Sequence, residues 1–397
     1  MRKVSVEERR ARVGWRHHLA GEARGEDVVE VARHLIGLHS TDPATVFLAA
    51  GARMVEPKVA AIEQALYDDR RLVRMLAMRR TMWVVPTDTL PVVEAAATKA
   101  VAERERKRLI KAIDEIGVAS GDDGGSAAWL EAVEAATLGA LEARGGAAFG
   151  TELSADVPGL RTSYVYAEGK TYGGPQNLTT RILNVMSMWG RIVRGRPRGQ
   201  WNSSQYRWAP VEAWLPAGMP VLDRAAAQTT LTEAWLRGFG PASINDLKWW
   251  TGWTLGEVRK ALANLNVVEV DLNGAPGLLL ADDTEPVATP DPWIALLPAL
   301  DPTAMGWTER AWYLGDHREP LFDRSGNIGP TVWCDGRIVG GWAQRKTTGE
   351  VVFRLFEDIG AELTAAVERE ATRLTEWIGD VRVTPRFRTP IDRELTA

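Results

Sequence analysis

Residues 178–208, LTTRILNVMSMWGRIVRGRPRGQWNSSQYRW, decide how this chain is read. Leu178 to Trp189 carries apolar residues at helical spacing, Gly190 stops that helix, and Arg191-Ile192-Val193-Arg194 reads as a short strand. Gly195-Arg196-Pro197-Arg198-Gly199-Gln200 supplies turn residues, and Trp201 to Trp208 returns as a second strand. Helix, strand, basic turn and strand in that order are the pattern of a winged helix, whose hairpin tip lies along a phosphate backbone or enters a groove. The window also holds six arginines (Arg181, Arg191, Arg194, Arg196, Arg198, Arg207), interleaved with Trp189, Trp201 and Trp208, and no Asp or Glu. A local positive field attracts phosphates whatever the net charge of the chain. The expectation is nucleic acid held along the hairpin by Arg191, Arg194, Arg196, Arg198, Gln200, Trp201, Ser203, Ser204 and Gln205. The plainer alternative is a solvated hairpin with arginines for solubility. The lack of any acidic partner inside the window speaks against it.

The composition around this window is ordinary. The 397 residues are 45% hydrophobic and 25% charged, with a formal net charge of −4, the make-up of a soluble protein of two to four domains. No apolar run is long enough to span a bilayer, and the opening MRKVSVEERRARVGW is charged and helical in pattern, without the apolar stretch of a signal peptide. One cysteine, Cys334, excludes an intrachain disulfide, a multi-thiolate zinc site and a protein-held iron–sulfur cluster. The histidines (His17, His18, His34, His39, His317) fall in no metal-binding spacing, and neither GxGxxG nor a Walker A sequence occurs. No metal and no cofactor is expected, and the expected place of action is the cytoplasm, on the nucleoid.

The helix-then-hairpin pattern recurs along the chain. In residues 1–86, Val6 to Leu19, Val28 to Leu38, Ala44 to Met54 and Val59 to Tyr67 read as helices, with Leu72 to Val85 as strand material. Residues 87–145 read as a helical connector, Thr87 to Ile116 and Ala127 to Ala143, broken by the polar, glycine-rich Ser120 to Ser126. A second unit, 146–222, begins a helix at Thr151-Glu152-Leu153 and ends in the arginine hairpin. A third, 223–285, has helices at Ala225 to Phe239, Ser243 to Trp250 and Leu255 to Leu262, then strands Val267 to Leu272 and Leu278 to Ala281 across Asn273-Gly274. In residues 286–397, after the Pro/Asp-rich linker Thr284 to Pro292, the strands are Trp293 to Leu300, Thr331 to Cys334, Ile338 to Trp342 and Val351 to Phe356. Asp335-Gly336 and Thr348-Gly349 mark hairpin turns between them. A helix, Glu362 to Ile378, and a last strand, Val381 to Val383, follow. The fold expected is α+β: three tandem winged-helix units with a helical connector, then a small antiparallel, β-barrel-like C-terminal domain.

Three further segments carry a resemblance. Gly240-Pro241-Ala242-Ser243 with Asp246 and Trp249-Trp250-Thr251-Gly252 form the first. Leu296-Leu297-Pro298-Ala299-Leu300-Asp301-Pro302, with Gly306 and Arg310, form the second. The third is Gly329-Pro330-Thr331-Val332 with Asp335-Gly336-Arg337-Ile338-Val339-Gly340. Together they resemble the tandem winged-helix DNA glycosylases of the AlkZ and YcaQ type, over essentially the whole chain. Read locally, Trp249 and Trp250 are core residues and Asp246 and Asp301 are caps. The resemblance implies a C-shaped protein around a basic channel that excises bulky N7- or N3-alkylated purines from double-stranded DNA and unhooks interstrand crosslinks. A monomer is expected.

In that family the catalytic segment follows the second helix of the first unit and commonly reads Gln-x-Gln or Gln-x-Asp before Asp-Pro, with a small or aliphatic middle residue. Here the stretch is Gly37-Leu38-His39-Ser40-Thr41-Asp42-Pro43, so His39 and Thr41 stand where the water-positioning pair would stand and depart from it in identity. Alkylation at N7 already activates the glycosidic bond; an enzyme has mainly to place a water at C1′ and tolerate a developing oxocarbenium ion. A neutral His39 can accept the water's proton, Thr41 can orient the water, and Asp42, if it faces the sugar, can steady the cation or act as the base. No lysine is needed, so a monofunctional glycosylase is expected. Local readings compete: Asp42-Pro43 is a good helix start, and His39 near the end of the preceding helix would be held protonated.

A second surface is Met75 to Val84, MLAMRRTMWV, where the family shows an Arg-Gly-Thr-Leu-His-like segment. Arg79 and Thr81 match, Arg80 replaces the glycine and Trp83 the histidine. Arg79, Arg80 and Thr81 are the expected DNA contacts, and Trp83 is a wall for an extruded base or a core residue. The second function in view is a non-enzymatic winged-helix DNA-binding protein, a regulator or lesion-binding protector. Several winged helices with a barrel and no sensor domain favour the glycosylase.

Overall fold

A computed structural model describes residues 1–119, 124–166 and 173–397, and its architecture is α+β. In the first part of the chain, helices Val6–Arg16, Val28–His34 and Pro43–Gly51 accompany a three-stranded antiparallel sheet. Its central strand is Met82–Pro86, flanked by Leu38–His39 and Leu72–Leu76. The helix expected to run to Leu38 stops at His34, because Ile36 and Gly37 take left-handed backbone (φ 59° and 133°). A Cβ on Gly37 would lie 2.9 Å from the Val84 carbonyl oxygen, so only glycine lets the strand approach so closely. This kink turns Leu38-His39 into strand.

The arginine window forms helix Thr179–Met188 and strands Ile192–Pro197 and Tyr206–Pro210, with Ala148–Phe149 completing a second three-stranded sheet. Residues Trp201 to Gln205, expected in the returning strand, form the loop at the tip instead. Trp201 is 7% exposed, its ring 5.1 Å from Phe47 and 5.9 Å from Trp377, and that burial takes the loop away from ladder geometry. A third sheet pairs Val267–Leu272 with Ala275–Leu280 and adds Arg2–Lys3 parallel to the former. Two residues carry no periodicity, so nothing in the sequence announced that strand. The two-residue turns Asn273-Gly274 and Asp335-Gly336 place all four residues in the left-handed region that tight hairpins require.

The C-terminal strands Ile294–Leu297, Thr331–Cys334, Arg337–Gln344 and Val351–Leu355 pair antiparallel in that order. The first and last do not pair, so no barrel closes among the described residues, contrary to expectation. Helix Ala361–Ile378 packs on both of those outer strands, supplying the burial that closure would otherwise give. The expected strand Val381 to Val383 is held by a side chain rather than a ladder: Val383 N–H donates to Gln344 Oε1 at 2.7 Å and Gln344 Nε2 donates to the Val381 carbonyl at 3.2 Å. Helix Pro390–Leu395 and the hairpin of Ser163–Tyr166 with Gly174–Asn177 were not anticipated. The long helix read from Thr87 to Ile116 is interrupted by a π-turn at Glu94–Thr98, and residues 120–123 of the expected glycine-rich break lie outside the described residues. No described helix is long and apolar enough to cross a membrane.

One hydrophobic core runs from the first helices to the C-terminal sheet, and a second, with Leu109, Leu153, Ile182, Met186, Ile192 and Trp208, lies under the arginine hairpin. The hairpin joins them. Ile192 belongs to the second core and its neighbour Val193 to the first, because successive strand side chains point to opposite faces. Arg53 and Asp301, both fully buried, add a two-pronged ion pair (2.6 and 2.9 Å) between the first helices and the C-terminal part.

Candidate active site and nucleic-acid interface

His39 faces Trp83 across the sheet, 1% exposed, with its ring 5.1 Å from the indole. Burial, reinforced by the Arg79 guanidinium, pushes its pKa down to about 3. The ring is therefore neutral at physiological pH. The helix-dipole argument for a protonated ring fails because His39 sits in a strand, beyond the kink. Thr41 N–H donates to His39 Nδ1 at 3.5 Å, a long contact that favours the ring proton on Nε2. Thr41 Oγ1 accepts from Met82 N–H at 3.3 Å and keeps a rotatable hydroxyl proton.

Asp42 caps helix Pro43–Gly51: its Oδ1 accepts from Ala44 N–H at 3.1 Å, while Oδ2 accepts from Arg386 N–H at 2.9 Å. Burial raises its pKa and the two amide bonds oppose that rise. The Arg386 guanidinium, itself exposed, donates to the Thr41 carbonyl at 3.3 Å. Sequence reasoning missed Arg386, since nothing in Pro385-Arg386-Phe387-Arg388 marks a neighbour of Thr41 and Asp42.

The loop between strands Leu72–Leu76 and Met82–Pro86 holds Arg79 and Arg80 with φ of 54° and 60°. This left-handed backbone, rare for residues with a side chain, keeps the conformation a glycine would favour at position 80. Arg79 stacks on Trp249 at 3.9 Å and Arg310 lies 4.9 Å from the same ring. Burial, and then the Arg310 charge, lower the Arg79 pKa to about 10. Arg80 is exposed and paired with Glu105 at 2.8 Å. Thr81 Oγ1 donates to the Met78 carbonyl and accepts from Trp83 Nε1 at 2.8 Å, so it buttresses the loop. Trp83 is fully buried core and walls no open space.

The arginines of the window divide. Arg196 bridges Glu63 (3.1 Å) and Asp68 (2.8 Å), and Arg191 reaches Glu134 at 3.3 Å, so acidic partners absent from the window arrive from other parts of the chain. Arg194 stacks on Trp208 at 4.6 Å and donates to Asn184 Oδ1 at 2.7 Å; burial and then Arg74 lower its pKa to about 10. Arg198 and Arg207 lie over Phe149, and among the described residues neither has a carboxylate within 4.0 Å. Arg194, Arg198, Ser204, Gln205 and Tyr206 converge with Thr179, Thr180 and Asn184 on an open groove of about 880 Å³. Gln200 and Ser203 form the tip turn outside that lining, and Trp201 is packed inside the protein. A second groove of about 850 Å³ is lined by Arg79, Arg80, Arg104, Arg224, Lys248 and Trp249. No described cluster of His, Cys, Asp or Glu could hold a metal ion.

The signature carboxylates serve structure. Asp246 accepts from the backbone of Ser243, Thr308 and Glu309 and from the Ser243 hydroxyl, tying the start of helix Ile244–Thr251 to the segment before Arg310. Asp301 is spent on Arg53.

The chain belongs to the family of AlkZ-like DNA glycosylases, described as "DNA glycosylase AlkZ-like", which matches residues 32–377. That span includes His39 to Asp42 and ends before Arg386. A relative from Streptomyces sahachiroi, "Interstrand DNA cross-link repair glycosylase", is 29% identical over 221 residues, 51% of this chain; the match spans 58% of that relative's own length. The solved structure of Streptomyces sahachiroi DNA glycosylase AlkZ matches with a TM-score of 0.70 at 20% identity, over 97% of this chain and 99% of that one. The fold is shared along nearly the whole length.

Proposed function

We propose that this chain is a monofunctional DNA glycosylase that uses water to hydrolyse the N-glycosidic bond of N7- and N3-alkylated purines and unhooks interstrand crosslinks. The reading treats residues 1–86, 146–222 and 223–285 as three winged-helix units acting on duplex DNA as a monomer in the cytoplasm. One observation carries it: a buried, neutral His39 beside Thr41, with Arg79 and Arg194 on two adjoining hairpins, neither with a carboxylate within 4.0 Å among the described residues. Arg79 acts on the imidazole through its charge, and Arg194 lies 3.4 Å from the sulfur of Met82, whose amide bonds Thr41.

Such a site suits a leaving group that is already cationic. A protonated imidazole would oppose the developing oxocarbenium ion; a neutral one does not. The Thr41 hydroxyl orients the water. His39 accepts its proton when the ring proton moves to Nδ1, which gives up the long Thr41 amide contact at a cost of about 1 kcal/mol. With so low a pKa the imidazole is a weak base, and placing the water matters more than removing its proton. Arg194 and Arg198, with Arg79, hold phosphates.

The test is release of free alkylated base under single-turnover conditions from duplexes carrying N7-methylguanine, N3-methyladenine or an interstrand crosslink. Release is expected. If none is released from duplexes the protein demonstrably binds, the chain is a DNA-binding protein without excision.

A further inference from the structure

Arg74, in strand Leu72–Leu76, is 1% exposed, and among the described residues no carboxylate lies within 4.0 Å of it. Its Nε donates to Ser40 Oγ at 2.6 Å and one terminal nitrogen to the Tyr67 hydroxyl at 3.2 Å. The other, Nη2, is buried without an acceptor. Its guanidinium lies 4.4 Å from the ring of Tyr206, in the arginine hairpin, and the Tyr206 hydroxyl is also buried and unpartnered. A guanidinium stays charged at any working pH, so burying one without a counter-ion is costly and has to be offset by the hydrogen bonds and rings around it. The shortest of those bonds goes to the middle residue of the candidate catalytic segment. The resemblance puts a small or aliphatic residue there; serine is small and adds a hydroxyl that accepts from Arg74.

We propose that Arg74 is a positioning residue: by gripping Ser40 it fixes the strand that presents His39 and Thr41, and by stacking on Tyr206 it seats that strand against the arginine hairpin. Ser40 lies between the two candidate residues, and its backbone N–H is bonded to the Met82 carbonyl at 2.7 Å. Together with the Arg74 bond, this restrains both the strand's distance from its neighbour and its rotation about its own axis. Ser40 thus couples His39 and Thr41, the two positions that depart from the family pattern, to the buried Arg74. This inference rests on the glycosylase reading.

The experiment measures the single-turnover excision rate at saturating enzyme, the Kd for undamaged duplex and the melting temperature for wild type, Ser40→Ala, Arg74→Met, Arg74→Lys and the Ser40→Ala/Arg74→Met double variant. Ser40→Ala should slow excision about tenfold with Kd within about twofold of wild type, the loss of a hydrogen bond that orients without touching DNA. Arg74→Met should be at least as slow, Arg74→Lys should recover part of the rate, and the double variant should be no slower than Arg74→Met alone, because both changes remove the same contact. Wild-type excision by Ser40→Ala, or losses that multiply in the double variant, would overturn the proposal and leave Arg74 a structural cation. Should Arg74→Met fail to fold, Ser40→Ala and Ser40→Val decide the matter: both must be slow. A wild type that binds duplex but releases no base overturns the glycosylase reading and this proposal together, whereas an active wild type with an equally active Ser40→Ala overturns this one alone.

Discussion

His39 shows how surroundings choose a residue's chemistry. With a pKa near 3 it is neutral from pH 5 to 8, so the excision rate should show no ascending limb in that range. A limb centred near the ordinary imidazole value would mean that the ring titrates in open solvent and that the buried site is not the working one. His39→Ala should slow N7-methylguanine release by roughly one to two decades at nearly constant duplex affinity, and Thr41→Val by at least as much, since its hydroxyl orients the water. If Asp42→Asn abolishes release while both other variants stay active and folded, the carboxylate is the base. The Asp42 cap was legible because Asp-Pro before a helix is a local signal. The burial of His39 and the approach of Arg386 were not, since both depend on residues distant in the chain that the fold brings there.

At the level of elements, the hairpin separates arginines with no carboxylate within 4.0 Å among the described residues, Arg194 and Arg198, from Arg191 and Arg196, which are paired to other parts of the chain. Arg194→Ala and Arg198→Ala should each lower the magnitude of the salt slope for undamaged duplex by about one, the value for one neutralised phosphate. Arg196→Ala should leave the slope unchanged and cost up to about 1 kcal/mol of stability through its partly exposed pairs with Glu63 and Asp68. Equal slope changes for all three would mean that Arg196 leaves its carboxylates for DNA. The helix and first strand of this window were readable from periodicity. The tip was not, because Trp201 answers to Phe47 and Trp377 rather than to its neighbours in sequence.

The whole molecule depends on contacts between parts that sequence shows only as separate signatures. Asp301→Ala leaves Arg53 charged and buried without its counter-ion, and should cost roughly 3–5 kcal/mol in denaturant unfolding; a loss below about 1 kcal/mol would mean that water reaches the pair. Acid should also weaken the fold. His39 has a folded pKa below its unfolded value, so its contribution is complete above about pH 6.5 and is lost as pH falls towards 3. His17, buried between Thr303 and the Gly238 carbonyl, shifts in the same direction. Stability of wild type relative to His39→Gln should shrink between pH 7 and pH 4.5, and a constant difference would show that the imidazole is not desolvated. Most helices and the tight hairpins were legible because each carries its own periodicity and turn residues. The open C-terminal sheet was not, because closure depends on whether first and last strands meet, and here a helix lies across both.

The burial of Trp201 has a consequence for discrimination. A hairpin whose tip is lodged among Phe47 and Trp377 is already ordered when DNA arrives, so association does not have to restrict a mobile arm. If the hairpin meets DNA as proposed, what the protein accepts is set by clearance beside a fixed hairpin, and undamaged duplex gains nothing from the hairpin's adapting to it.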